Sequence, residues 1–161
     1  MAHFDDDATL ARLLPGRWTI KATNFPMWLS GERRDPRFEY GLLRESPLTL
    51  SDHVAYLAPD GKQKSIRGVD HWNGRGFTWK MRGIGGLFIR SRWEVAGVRQ
   101  GLVVIRFDKS VVTPGGVDVV VGEGVDATDL RTTIASDPAS FGLTLEEFAS
   151  LTWLDHLPPI E

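Results

Sequence analysis

Apolar and polar residues alternate with period two over much of this chain, the pattern of strands that bury one face. In the segment 48–57, Leu48, Leu50, Val54 and Tyr56 share a face, and Asp52 stands on that same face. The turn Ala58-Pro59-Asp60-Gly61-Lys62 carries Pro, Asp and Gly in the order of a type I turn closed by a glycine bulge. It pairs Ala58 with Lys62, so Val54 faces Ile66, Asp52 faces Gly68 and Leu50 faces Asp70. Trp72-Asn73-Gly74-Arg75 signals a second hairpin, which places Asp70 opposite Phe77, Gly68 opposite Trp79 and Ile66 opposite Met81. Phe77, Trp79 and Met81 are the apolar alternates of their strand. Two carboxylates, Asp52 and Asp70, therefore point into an apolar interior, where a charge is costly unless paired or hydrogen-bonded.

The same reading extends along the chain. Residues 8–14 predict a short helical turn stopped by Pro15-Gly16. A first strand follows, with Trp18, Ile20 and Ala22 inward. The segment from Phe25 to Pro47, which includes Trp28, reads as a loop or lid plus a short strand. Strands are expected near 48–57, 64–72, 76–82, 87–96, 102–108, 117–123 and 127–134. Glu146 to Leu154 predicts a C-terminal helix, with Thr144 and Glu147 spaced as a capping box. Sequential strands joined by tight turns predict an all-β fold: an eight-stranded up-and-down antiparallel β-barrel over residues 1–161, one domain, with a helix at each end. Closure removes the exposed edges, and eight strands leave an interior that is either filled or holds one small ligand. The inward set is Trp18, Ile20, Leu50, Val54, Ile66, Phe77, Trp79, Met81, Ile89, Trp93, Val103, Ile105 and Phe107.

Composition narrows the chemistry. At 42% hydrophobic and 25% charged, with net charge -2, the chain offers no bulk charge for nucleic acid or membrane. With no cysteine, disulfides and thiolate chemistry are excluded. No basic region followed by an apolar run opens the sequence, and no stretch reaches the roughly 20 apolar residues of a membrane helix, so a cytoplasmic location is the expectation. His53 and His71 fall on the outer face roughly 13 Å apart, too far to share a metal. Neither a metal nor a cofactor is expected. Gly83-Ile84-Gly85-Gly86 lacks the Lys-Ser/Thr of a phosphate loop and fits a strand turn. On the outer face Arg67 pairs across to Lys80, next to Arg90 and near Arg82 and Arg92. Charged outward positions are the ordinary state of a solvated sheet, so nucleic-acid binding is not favoured. A homodimer is compatible with the sequence.

Gly16-Arg17-Trp18, at the start of the first strand, resembles the Gly-x-Trp of lipocalins. Arg37-Phe38-Glu39-Tyr40-Gly41-Leu42 is similar to the Arg-Phe-Glu-x-Gly-Leu segment of bacterial lipocalins, and Phe141-Gly142-Leu143 through Trp153 resembles their closing helix and tail. The resemblance to the lipocalins and the wider calycin group spans most of the chain. It implies a barrel that binds a small apolar ligand, and it implies that Arg131 is the arginine that packs on the first-strand tryptophan. A minority of such barrels are cyclases or isomerases.

The function expected is therefore binding of a small hydrophobic or amphipathic ligand in the barrel. Trp18, Tyr56, Phe77, Trp79, Met81, Trp93, Phe107 and Trp28 would supply the apolar contacts, and Asp52 and Asp70 would fix a polar end. The alternative is a cofactor-independent cyclase or isomerase with Asp52 and Asp70 as acid and base. The two aspartates themselves have two readings. One is burial in salt bridges, to Arg90 or Arg92 if that strand faces the other way. The other is a pair sharing a proton, in which like charges raise one pKa.

Overall fold

The computed structural model describes residues 6–82, 88–109 and 114–154. Helix α1 (Asp7–Leu13) is capped by Asp6, whose carboxylate accepts from the backbone N–H groups of Ala8 and Thr9. Eight strands follow: β1 (Gly16–Thr23), β2 (Arg34–Arg44), β3 (Thr49–Leu57), β4 (Gln63–Trp72), β5 (Phe77–Arg82), β6 (Phe88–Arg99), β7 (Leu102–Phe107) and β8 (Gly116–Gly122). Each pairs antiparallel with the next, and β1 pairs with both β2 and β8, so the sheet closes into an eight-stranded barrel. A short helix α2 (Pro26–Leu29) lies between β1 and β2. Helix α3 (Leu130–Ser136), a 3-10 turn (Pro138–Phe141), helix α4 (Leu145–Ser150) and strand β9 (Thr152–Trp153), which pairs outside β1, complete the chain.

The β3–β4 register is the expected one. Leu50 faces Asp70, Asp52 faces Gly68 and Val54 faces Ile66, while Ala58 N–H donates to Lys62 O at 2.9 Å and Gly61 takes φ 78°. The β4–β5 register differs by two residues: Asp70 faces Trp79, Trp72 faces Phe77 and Val69 faces Lys80. The turn is centred on Gly74-Arg75 rather than Asn73-Gly74, because Asn73 N–H donates to Gly76 O and its side-chain oxygen accepts from the N–H groups of Arg75 and Gly76. Moving a turn centre by one residue slides the pairing by two, so every side chain keeps its face.

Three expected elements take other forms. The segment after Phe25 holds the 11-residue strand β2, with Pro36, Phe38 and Tyr40 buried. It fills the place expected for a strand at 127–134, and with the barrel already closed Leu130–Ser136 is helical instead. Helix α4 stops at Ser150, its capping box formed by Thr144 and Glu147 as expected, and Thr152-Trp153 is strand. A register shift in β1 between Ile20 and Ala22 turns Ala22 outward, against the expectation, into the cluster with Val117, Val119 and Trp153. Thr23, opposite Asp118, turns inward. The Gly83–Gly86 turn, Arg82's side chain, His3 and His156 lie outside the described residues.

Two apolar clusters result. One fills the barrel, from Leu10, Leu14 and Trp18 at the α1 end to Phe25 and Trp28 at the other. The second lies outside the barrel, between the outer faces of β7, β8 and β1 and the segment from α3 to β9. The tie between that segment and β6 is a close backbone approach: a Cβ at Gly97 would strike Phe141 O, and one at Gly142, with φ 74°, would strike Ala96 O. Arg106 of β7 latches the same segment, donating to both Glu147 carboxylate oxygens at 2.8 Å and to Gly142 O at 2.7 Å. Arg131 does not pack on Trp18; its guanidinium lies 6.0 Å from the Trp153 ring, because it belongs to the outer helix α3.

Candidate functional site

Strands β1, β3, β5 and β7 end, and strands β2, β4, β6 and β8 begin, at the end of the barrel away from α1. A cavity of about 410 Å³ runs into the barrel from that end. Its walls are largely aromatic and apolar: Phe25, Trp28, Phe38, Tyr40, Val54, Ile66, Trp79, Met81, Ile89, Trp93 and Phe107. Its polar lining is Arg33, Asp52, Ser91 and Asp118. The volume lies within the range of small-molecule pockets.

Alternation on each strand puts these groups inside. Asp52 and Val54 are the buried alternates of β3, Phe38 and Tyr40 those of β2. Trp93 of β6 is fixed twice. Its ring stacks on Phe77 at 4.4 Å and on Tyr40 at 5.7 Å, and its indole N–H donates to Asp70 Oδ1 at 2.8 Å. Gly68 leaves the space that the Trp79 indole occupies, since a Cβ there would collide with it.

Asp70 lies beneath this surface, fully buried and outside the cavity lining, and Asp52 lies diagonal to it at the surface. The arginine-paired reading of these acids fails, because Arg90 and Arg92 are exposed on the outer face. The two carboxyls face each other instead. Burial raises both; for Asp70 the neighbouring Asp52 charge and hydrogen bond raise it further, while Trp93 pulls it back. The pair thus keeps a shared proton above the ordinary carboxylate range. Beyond that proton, Asp52 Oδ1 and Asp70 Oδ2 have no hydrogen-bond donor.

A third acid, Asp118, was not anticipated. It is 1% exposed, lines the cavity from β8, and neither of its oxygens has a partner of good hydrogen-bond geometry. Burial raises it to about 7, with the donors of Thr23 and Trp28 easing the rise. Tyr40, opposite Asp52, lies close enough to all three acids that burial and then Asp52, Asp70 and Asp118 hold its hydroxyl well above its ordinary value. The Trp79 indole N–H, buried in the wall, also lacks a partner.

Of the expected ligand contacts, Trp28, Trp79, Met81, Trp93 and Phe107 line the cavity. Phe77 sits behind Trp93. Tyr56 packs beside Trp28 at 6.3 Å, with Arg33 5.6 Å from its ring. Trp18 belongs to the α1 end, where its indole N–H donates to Leu14 O at 2.8 Å. Phe25, Met27, Arg33, Phe38, Tyr40, Ser91 and Asp118 are among the lining residues that were not expected as ligand contacts. Among the described residues no helix is long and apolar enough to cross a membrane.

The closed barrel with its helix across one end is the lipocalin (calycin) fold. Similar solved structures include the tryptamine complex of the amine binding protein of Rhodnius prolixus, 11% identical with a TM-score of 0.62, over 92% of this chain and 82% of that one. Lobster apocrustacyanin A1 is 11% identical with a TM-score of 0.59, over 88% of this chain and 77% of that one. The bovine lipocalin allergen Bos d 2 is 13% identical with a TM-score of 0.55, over 92% and 99% respectively. No protein-family model and no curated protein sequence matches the chain.

Proposed function

We propose that this protein binds a small hydrophobic or amphipathic molecule inside the barrel. The observation that carries the reading is the cavity of about 410 Å³, apolar over most of its wall, rich in aromatic rings, and carrying polar atoms without a hydrogen-bond partner of good geometry on Asp52, Asp118 and Trp79. Buried polar groups without partners are rare in a filled core and are met by a ligand or by water. Trp28, Trp79, Met81, Trp93 and Phe107, with Phe38 and Tyr40, supply the apolar contact. Neighbours of the same fold include proteins described by their ligands, tryptamine among them, which supports binding as the use of the barrel. Catalysis by Asp52 and Asp70 as a cyclase or isomerase has less behind it, because Asp70 lies behind Asp52 and away from the cavity surface. The cytoplasm is the compartment this reading assigns, and fractionation of the native host tests it.

Titrating a panel of apolar dyes and fatty alcohols while following tryptophan emission checks the proposal. Binding should quench the emission, and Trp79→Ala should weaken the affinity by about 1–3 kcal/mol through lost aromatic contact. A panel that leaves the emission unchanged overturns the reading. Native mass spectrometry of protein from its own host then identifies what the cavity carries.

A further inference from the structure

We propose that the cavity takes a ligand with a protonated amine at one end, the cation seated between Asp118 and Asp52 and the apolar body lying against Trp28, Trp79 and Trp93. The inference deepens the binding reading above and rests on it.

The polar atoms of the site are mostly acceptors without donors. Neither Asp118 oxygen has a donor of good hydrogen-bond geometry, Asp52 Oδ1 has none besides the proton shared with Asp70, and the two residues line the cavity from β8 and β3, three strands apart around the barrel. Arg33 is the cationic residue in the described lining, and its guanidinium lies over the Tyr56 ring. A ligand that completes such a site must bring donors and positive charge. An ammonium brings three donors and no acceptor, whereas a hydroxyl brings one donor and a carboxylate brings acceptors to acceptors. Indole and phenol faces of the kind that form this wall attract a cation further. A matched charge with direct hydrogen bonds then offsets the burial of these carboxylates.

Calorimetric titration of octylamine, octanol and octanoate, which share one body and differ in the end group, tests this. At about pH 8 the amine is protonated, as lysine is. Octylamine should bind about tenfold or more tighter than octanol, and octanoate weakest. Asp118→Asn should bring octylamine to the level of octanol and leave octanol unchanged. Asp52→Asn provides a second variant with the same expectation, and the ranking on the parent protein stands if either variant fails to fold. Lowering the pH to about 5.5 should weaken octylamine alone, since Asp118, Asp52 and Asp70 take up protons there while Tyr40 stays neutral and Arg33 stays charged. Octanol binding with octylamine no tighter overturns the amine inference and leaves the binding reading intact. If none of the three binds, and the apolar dyes do not either, the binding reading falls and takes the inference with it.

Discussion

Strands β3, β4 and β5 bury one face; strands β7, β8 and the end of β1 bury two. On the first side Asp52, Val54, Asp70 and Phe77 point inward while His53, Arg67 and His71 point toward solvent or lie half-covered. On the second side Val103, Ile105 and Val120 fill the barrel, and Leu102, Val104, Val117 and Val119 meet Ile134, Phe141 and Trp153 of the outer layer. A wall with two apolar faces is the thicker part of the core, and a wall with one is free to present a cavity surface inside and charges outside. The acids of the site come from both walls, Asp52 and Asp70 from the thin one and Asp118 from the thick one.

The comparison predicts where substitutions hurt. Phe141→Ala empties the outer layer and should cost about 3–5 kcal/mol in urea unfolding, while apolar ligands still bind, since Phe141 is no part of the cavity. Loss of binding in a variant still folded would mean that the two sides are not separate in function.

The next effect is one of pH. Asp118, Asp52 and Asp70 are raised in the fold, so the stability they contribute is present below the ordinary carboxylate range and is lost as pH rises through their folded values. Glu147 is lowered by Arg106, so its contribution is lost only in more acidic solution. Stability should therefore fall between about pH 4 and pH 8, with Asp118 alone accounting for on the order of 2–4 kcal/mol at the alkaline end. Asp118→Asn should flatten that slope and melt higher than the parent at about pH 8. A parent melting curve independent of pH in this window would show that the acids are not held as described. Smallest is the outer surface of the thin wall: Arg90→Gln and Arg92→Gln should each change stability by less than about 0.5 kcal/mol, measured in the same urea titrations.

The thin wall was also the legible one. Asp52 and Asp70 stood out because polar and apolar positions alternate around them, and the Pro-Asp-Gly turn at 59–61 fixed their register. Asp118 carries the same signal, a lone acid among valines, but its strand is apolar on both faces, so no alternation marks it as inward. Strand β2 was obscured at its start. Asp35 takes φ 48° and the pairing with β3 shifts between Arg34 and Arg37, so the charged run 32–35 reads as loop although Phe38 and Tyr40 alternate after it. Thr132-Thr133-Ile134 has the β-branched composition of a strand, and only the closure of the barrel by β2 leaves it no edge to join. The cavity was not legible at all, since it depends on how Trp79 and Trp93 are oriented across the interior, which pairing rules do not fix.

The seam between β1 and β8 bears on how the barrel comes together in time. Trp18 meets Gly122 there, partners far apart along the chain, whereas every other neighbouring pair of strands in the barrel is joined by a single connection. The outer face of that seam is covered by Leu143, Leu151 and Trp153, and β9 pairs directly on the end of β1. The entropy of closing so long a loop must be met before its contacts form. Hairpins such as β3–β4 need only a short loop to close, whereas the ring needs a clasp between β1 and the far end of the chain, so its closure is the expected slow step of refolding, which stopped-flow measurement checks.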